Sequence, residues 1–153
     1  MDLTSRTSFL IRRLQLQVAW LMEQELKKHA MTNGQYTVLG TIARHNGESS
    51  AEIARRLHVK PQALNEFIPP FEQRGLIERR GHPDNKRILC VYLTTKGKRL
   101  LEQCDEVVDT LEVELHTALT PEELTAFRAI TNKLSDAAHR MVPQRVKAND
   151  DAA

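Results

Sequence analysis

The sequence predicts a mainly α protein with a small β wing: a winged helix-turn-helix carried between terminal dimerisation helices. Three observations predict it. Two short helical patterns lie head to tail on either side of Lys60, with only a few residues between them, as in a helix-turn-helix. Two β-prone runs follow, joined by a polar, basic turn, as in a hairpin. Long runs with apolar residues every three or four positions begin and end the chain, offering more apolar surface than one small winged domain covers.

The first helix runs from Ser8 to His29, with Leu10, Ile11, Leu14, Val18, Leu21, Met22 and Leu26 at helical spacing and no Gly or Pro between them. Thr32-Asn33-Gly34-Gln35 reads as a capping box, Thr first and Gln three later, opening a helix through about Arg44. Asn46-Gly47 stops it, since both residues tolerate the left-handed conformation of a helix end. Ser49-Ser50-Ala51-Glu52 is a second capping box, starting a helix with Ile53, Ala54 and Leu57 on one face. Pro61 suits the first turn of the next helix and keeps Lys60 extended; that helix carries Leu64, Phe67, Ile68 and Phe71 and stops at Gly75. Leu76 to Arg80 and Ile88 to Leu93 form the hairpin. Thr94 or Thr95 caps a long helix bearing Leu100, Leu101, Cys104, Val107, Val108, Leu111 and Leu115. Thr120-Pro121-Glu122-Glu123 opens the last helix, with Leu124, Phe127, Ile130, Leu134 and Met141. From Pro143 a polar tail is expected to fray.

Composition removes several classes. The longest apolar stretch, Val18 to Met22, is far short of the roughly 20 residues of a spanning helix. Its charged neighbours exclude a secretory signal, and two cysteines, Cys90 and Cys104, make neither a disulfide scaffold nor a zinc spacing. A reduced, cytoplasmic, water-soluble protein is expected. The six histidines are scattered, so no metal site and no cofactor is expected. No nucleophile elbow, phosphate-cradling glycine loop or dinucleotide fingerprint occurs, so no catalytic residues are assigned and the chain does not read as an enzyme.

Charge is unevenly spread. Residues 1–47 carry +3, residues 48–100 carry +5 and residues 101–153 carry −6, within a net +2. A basic middle points to a polyanion. A helix fits the major groove with its first side chains at the base edges, and here those are Lys60, Gln62, Asn65 and Glu66. The Ser-capped helix before it, beginning at Ser50, offers backbone N–H groups to a phosphate. A basic hairpin tip, here Lys86 and Arg87, lies along the backbone or enters the minor groove. Double-stranded DNA is the partner this arrangement fits.

The chain also resembles the MarR family of bacterial transcription regulators. The resemblance rests on Ser50-Ala51-Glu52-Ile53-Ala54-Arg55-Arg56-Leu57 and Phe71-Glu72-Gln73-Arg74-Gly75-Leu76-Ile77-Glu78-Arg79. Its most specific part is Pro83-Asp84-Asn85-Lys86-Arg87, followed six residues later by Leu93-Thr94-Thr95-Lys96-Gly97. The resemblance implies a homodimer that binds palindromic DNA, most often as a repressor, and releases it on binding a small, often aromatic anion. It divides the chain into a helical dimerisation region (1–30 and 96–142), a DNA-binding domain (31–95) and the polar tail (143–153). It makes residues 60–68 the start of the recognition helix, Lys86 and Arg87 the wing contacts, and Asp84 a brace paired with a nearby Arg.

Three positions depart from that pattern. Lys86 stands where the family usually has Arg and lacks its planar fork. Glu66 stands where a basic or small polar residue is commoner; it repels phosphate unless it accepts from a cytosine amino group. Pro69-Pro70 falls inside the recognition helix, removing the donors that would reach Asn65 and Glu66, so the helix must bend or break.

Other residues keep two readings each. Trp20, the only Trp, is either a platform for an aromatic effector or a core side chain; Arg12, Arg13, Tyr36 and Arg44 either hold the effector's anionic group or are surface and packing residues. Cys104 lies on an apolar stripe and reads as core, whereas Cys90, in the second wing strand, is core or a thiol switch. The acidic run Glu102, Asp105, Glu106, Asp109, Glu112 and Glu114 reads as a solvated outer face. Two other functional classes remain: a winged-helix protein–protein interaction module without specific DNA binding, and a thiol-regulated DNA binder acting through Cys90.

Overall fold

The computed structural model describes the backbone of residues 6–150 and the side chains of residues 6–141. Among the described residues, seven helices and two strands follow in order: α1 Thr7–Lys27, α2 Asn33–Arg44, α3 Ser50–Arg56, α4 Pro61–Asn65, α5 Ile68–Gln73, β1 Ile77–Gly81, β2 Leu89–Leu93, α6 Thr95–His116 and α7 Pro121–Asp150. Both expected capping boxes form. Thr32 Oγ1 accepts from Gln35 N at 3.1 Å while Gln35 Oε1 accepts from Thr32 N at 3.0 Å. Ser49 and Glu52 make the same reciprocal pair at 3.3 and 2.8 Å. Between them Gly47 turns the chain at φ +95°.

The helix expected after Lys60 is two helices. Glu66 and Phe67 separate α4 from α5, one turn before the proline pair. The break falls there because Pro69 and Pro70 cannot donate to the carbonyls of Asn65 and Glu66, leaving that turn unclosed. Within α5 the prolines take the second and third positions, whose N–H groups have no intrahelical acceptor in any helix. α5 buries Ile68 and Phe71, so its role is packing.

The wing strands pair antiparallel, Ile77 opposite Leu93 and Gly81 opposite Leu89. A third short segment joins them: Ser49 bridges Cys90, with Gly47 N donating to Val91 O and Val91 N to Glu48 O, both at 2.9 Å. The core beneath is built from Leu26, Leu39, Ile42, Ile53, Leu64, Phe71, Leu76, Val91 and Cys104, all essentially sealed from solvent. Cys104 is core, as its stripe implies.

The chain divides into two units, one ending at Leu111 and one beginning at Glu112. The first holds α1 to β2 and most of α6. In the second, Thr120 and Glu123 cap α7 reciprocally at 3.2 and 2.9 Å, and Arg128 lies 3.9 Å from Glu112. α7 runs past Pro143 to Asp150, so residues 143–150 are helical where the sequence predicts a fraying tail. Pro143 withdraws one donor, but Gln144, Arg145, Lys147 and Ala148 after it are strong helix formers. Residues 151–153 lie outside the described residues. Among the described residues, no helix is long and apolar enough to cross a membrane.

Candidate nucleic-acid interface and effector cleft

α4 turns its apolar side inward through Leu64 and leaves Gln62, Asn65 and Glu66 exposed, with Lys60 extended just before its first residue. The interruption limits this presented surface to little more than one helical turn. α3 packs against α4 with Ser50 half-buried at its first position, and the capping box before it takes up the N–H groups of Ser49 and Glu52.

The wing tip is a turn closed by backbone bonds. His82 N donates to Ile88 O at 2.8 Å and Ile88 N to Asn85 O at 2.9 Å, which leaves Lys86 and Arg87 exposed at the apex. Asp84 does not brace the wing through an arginine. Its side chain is 93 % exposed, and His82 Nδ1, at 4.0 Å, is its one ion partner among the described residues. The two arginines of the first wing strand are engaged elsewhere. Arg79 forks onto Glu72 at 2.7 and 2.9 Å, tying the wing to α5, while Arg80 pairs with Glu78 and stacks 4.9 Å from the Tyr92 ring centre.

Six of the eleven lysines and arginines of residues 48–100 form two contrasting sets. Arg56, Arg79 and Arg80 are held by Glu48, Glu72 and Glu78. No carboxylate among the described residues lies within ion-pair reach of Lys60, Lys86 or Arg87. The second set faces solvent from the helix start and the hairpin tip, the two points at which a winged helix meets a duplex.

Cys90 is 1 % exposed and under the Ser49 bridge, so its thiol has no solvent contact of the kind a reactive cysteine needs.

A cleft of about 430 Å³ opens between α2 and α6, lined by Tyr36, Thr37, Gly40, Ala43, Arg44, Leu101 and Asp105. Tyr36 Oη donates to Asp105 Oδ1 at 2.6 Å. Burial and the carboxylate beside it push the Tyr36 phenol far above its ordinary range, so it remains a neutral donor. A wider recess of about 710 Å³ continues along α6 past Asn46, Thr94 and Lys98, sharing Ala43, Leu101 and Asp105 with the first. Of the five effector residues the sequence offers, Tyr36 and Arg44 line the cleft. Trp20, Arg12 and Arg13 do not; they lie on the exposed face of α1, and Trp20 at 63 % exposure is no core residue of this chain. Sequence reasoning misses Asp105 among the acidic positions of its helix. Its spacing from Leu101 and Val108, four after one and three before the other, sets it at the edge of the apolar stripe and is the signal that distinguishes it.

Residues 31–89 match the family model described as MarR family. The chain is 30 % identical over 115 residues to the multiple antibiotic resistance protein MarR of Escherichia coli, covering 74 % of this chain and 80 % of that protein. It is 29 % identical over 126 residues to the HTH-type transcriptional repressor MdtR of Bacillus subtilis, covering 82 % and 81 %. Among solved structures, a mutant of E. coli MarR complexed with operator DNA superposes with a TM-score of 0.79 at 28 % identity, covering 88 % of this chain and 99 % of that one.

Proposed function

This chain belongs to the MarR family of winged helix-turn-helix transcription regulators, and from that premise we propose that it is a homodimeric repressor of palindromic double-stranded DNA, released by a small aromatic or phenolic ligand. Its relatives are transcription regulators, and it is a regulator rather than an enzyme. The observation that carries the proposal is the placing of three exposed cations that have no carboxylate partner among the described residues, Lys60 before α4 and Lys86 and Arg87 at the wing tip, together with exposed Gln62, Asn65 and Glu66. In this reading Lys60, Lys86, Arg87 and Ser50 meet phosphates and the other three face base edges. Asp84 serves only to shape the wing turn with His82.

Residues 31–95 form the DNA-binding domain, and residues 1–30 and 96–142 the dimerisation region. Exposed apolar side chains support the second assignment: Ile11, Leu14 and Leu16 on α1, and Phe127, Ile130 and Leu134 on α7. Such surface is uncommon on a chain that works alone. The effector is assigned to Tyr36 and Arg44 in the cleft; Trp20, Arg12 and Arg13, on the exposed face of α1, do not line it. A regulator of this kind works in the cytoplasm, beside the chromosome.

The second reading, an interaction module without specific DNA binding, is favoured by the shortness of α4 and by Glu66 at its end. Selection of bound fragments from genomic DNA separates the two. One enriched palindrome supports the repressor; no enrichment by a folded protein supports the module.

A further inference from the structure

The α2–α6 cleft segregates its charges by helix. Arg44 contributes a cation from the end of α2, and Asp105 contributes a carboxylate from α6, with Asp109 close enough to act on Tyr36 as well. Among the described residues, no cation lies within ion-pair reach of Asp105 and no carboxylate within reach of Arg44. Asp105 receives one hydrogen bond, from Tyr36, although an ionised carboxylate accepts about four. That bond also fixes the direction in which the carboxylate points. Between the two charges the wall is small and apolar: Gly40, Ala43 and Leu101.

Two opposite charges, each unpaired and both facing one cleft of about 430 Å³, make a recognisable template. The volume lies within the roughly 300–1,000 Å³ of small-molecule sites. A simple aromatic acid satisfies Arg44 but sets its own negative charge in the field of Asp105. A simple amine satisfies Asp105 and meets Arg44 in the same unfavourable way. We infer that the cleft is built for a small aromatic zwitterion, whose ammonium end sits on Asp105 and whose carboxylate end sits on Arg44. The inference names the chemical class of the proposed effector and rests on that reading only for the site's regulatory role.

Isothermal titration of the full chain with benzoate, benzylamine and 4-(aminomethyl)benzoate tests it, using the native protein, Asp105→Asn and Arg44→Gln. The amide introduced by Asp105→Asn keeps an oxygen for Tyr36, and circular dichroism checks that each variant is folded. The native protein should bind the zwitterion at least about tenfold more tightly than either half, the factor that about 1.4 kcal/mol supplies. Asp105→Asn should weaken the zwitterion and benzylamine while leaving benzoate unchanged or tighter; Arg44→Gln should weaken the zwitterion and benzoate and spare benzylamine. Benzoate binding the native protein most tightly, zwitterion affinity indifferent to both substitutions, or no binding of any probe at millimolar concentration would each overturn the inference. A parallel DNA-release assay keeps the two claims apart. Binding of the zwitterion without release of DNA sinks the effector role and leaves the site. Release by compounds that ignore both substitutions sinks the site and leaves the effector role.

Discussion

The carbonyl oxygen of Leu76 lies where a side chain on Gly97 would have to go: a Cβ there would stand 2.1 Å from it. Only hydrogen fits. Around this contact Thr94 Oγ1 donates toward the carbonyls of Gly75 and Leu76 at 2.7 and 3.1 Å and accepts from Gly97 N at 3.0 Å. Lys96 Nζ adds a bond to Arg74 O at 2.7 Å. The Leu-Thr-x-x-Gly stretch is thus a fastening that joins the end of α5, the first wing strand and the start of α6.

Gly97→Ala should therefore destabilise the fold by about 1–3 kcal/mol or more, since backbone atoms rather than a flexible side chain must give way. Urea unfolding measures it. A midpoint equal to that of the native protein would show that the contact is not tight.

Replacing Lys86 and Arg87 by Ala should weaken binding to every duplex alike. The salt dependence should flatten by about one unit for each phosphate that the wing no longer neutralises. Fluorescence anisotropy between low and moderate salt reads both quantities, and unchanged affinity and slope would remove the wing from the interface.

Asn65→Ala should instead change which sequence is preferred, costing about 1–3 kcal/mol of discrimination at one base pair if the amide reads an adenine. Glu66→Gln should strengthen non-specific binding by removing an exposed negative charge from the face proposed to meet a polyanion. Competition against variant duplexes distinguishes the two effects. A uniform loss from Asn65→Ala would reassign that residue to the backbone.

The carboxyl of Glu52 is held below its ordinary range, first by the Ser49 backbone N–H and then by the Ser49 hydroxyl. A carboxylate depressed on folding adds stability that is complete above the unfolded value, about 4.3, and is lost as pH falls through the folded value. Thermal melts should therefore show Tm dropping below about pH 4.3, and dropping less in Glu52→Gln. Equal losses in both proteins would place the acid sensitivity elsewhere, with Glu48, similarly depressed by Arg56, the next group to change.

The features legible in the sequence are mostly local. Thr32 and Ser49 announce their helices because both partners of each capping box lie within four residues. Pro69-Pro70 announces a break, and the missing donors fix it at Glu66 and Phe67. Long-range partners are not legible. Thr94 rather than Thr95 caps α6 because its hydroxyl also reaches carbonyls eighteen and nineteen residues back. Among the described residues Asp84 has no arginine partner: Glu72 and Glu78 hold Arg79 and Arg80, and Arg87, though only three residues on, is not within ion-pair reach of it. Asp105 is indistinguishable from a solvated acid by local pattern, because the Tyr36 that donates to it lies 69 residues earlier.

The central claim is that two copies of this chain grip one palindromic duplex. Sedimentation velocity of the 17.5 kDa chain with a fluorescent duplex carrying the selected palindrome tests it most directly. The expected result is a protein dimer alone and a complex of two chains per duplex, absent with a scrambled sequence. A monomer at micromolar concentration, or a complex with one chain per duplex, would contradict the account.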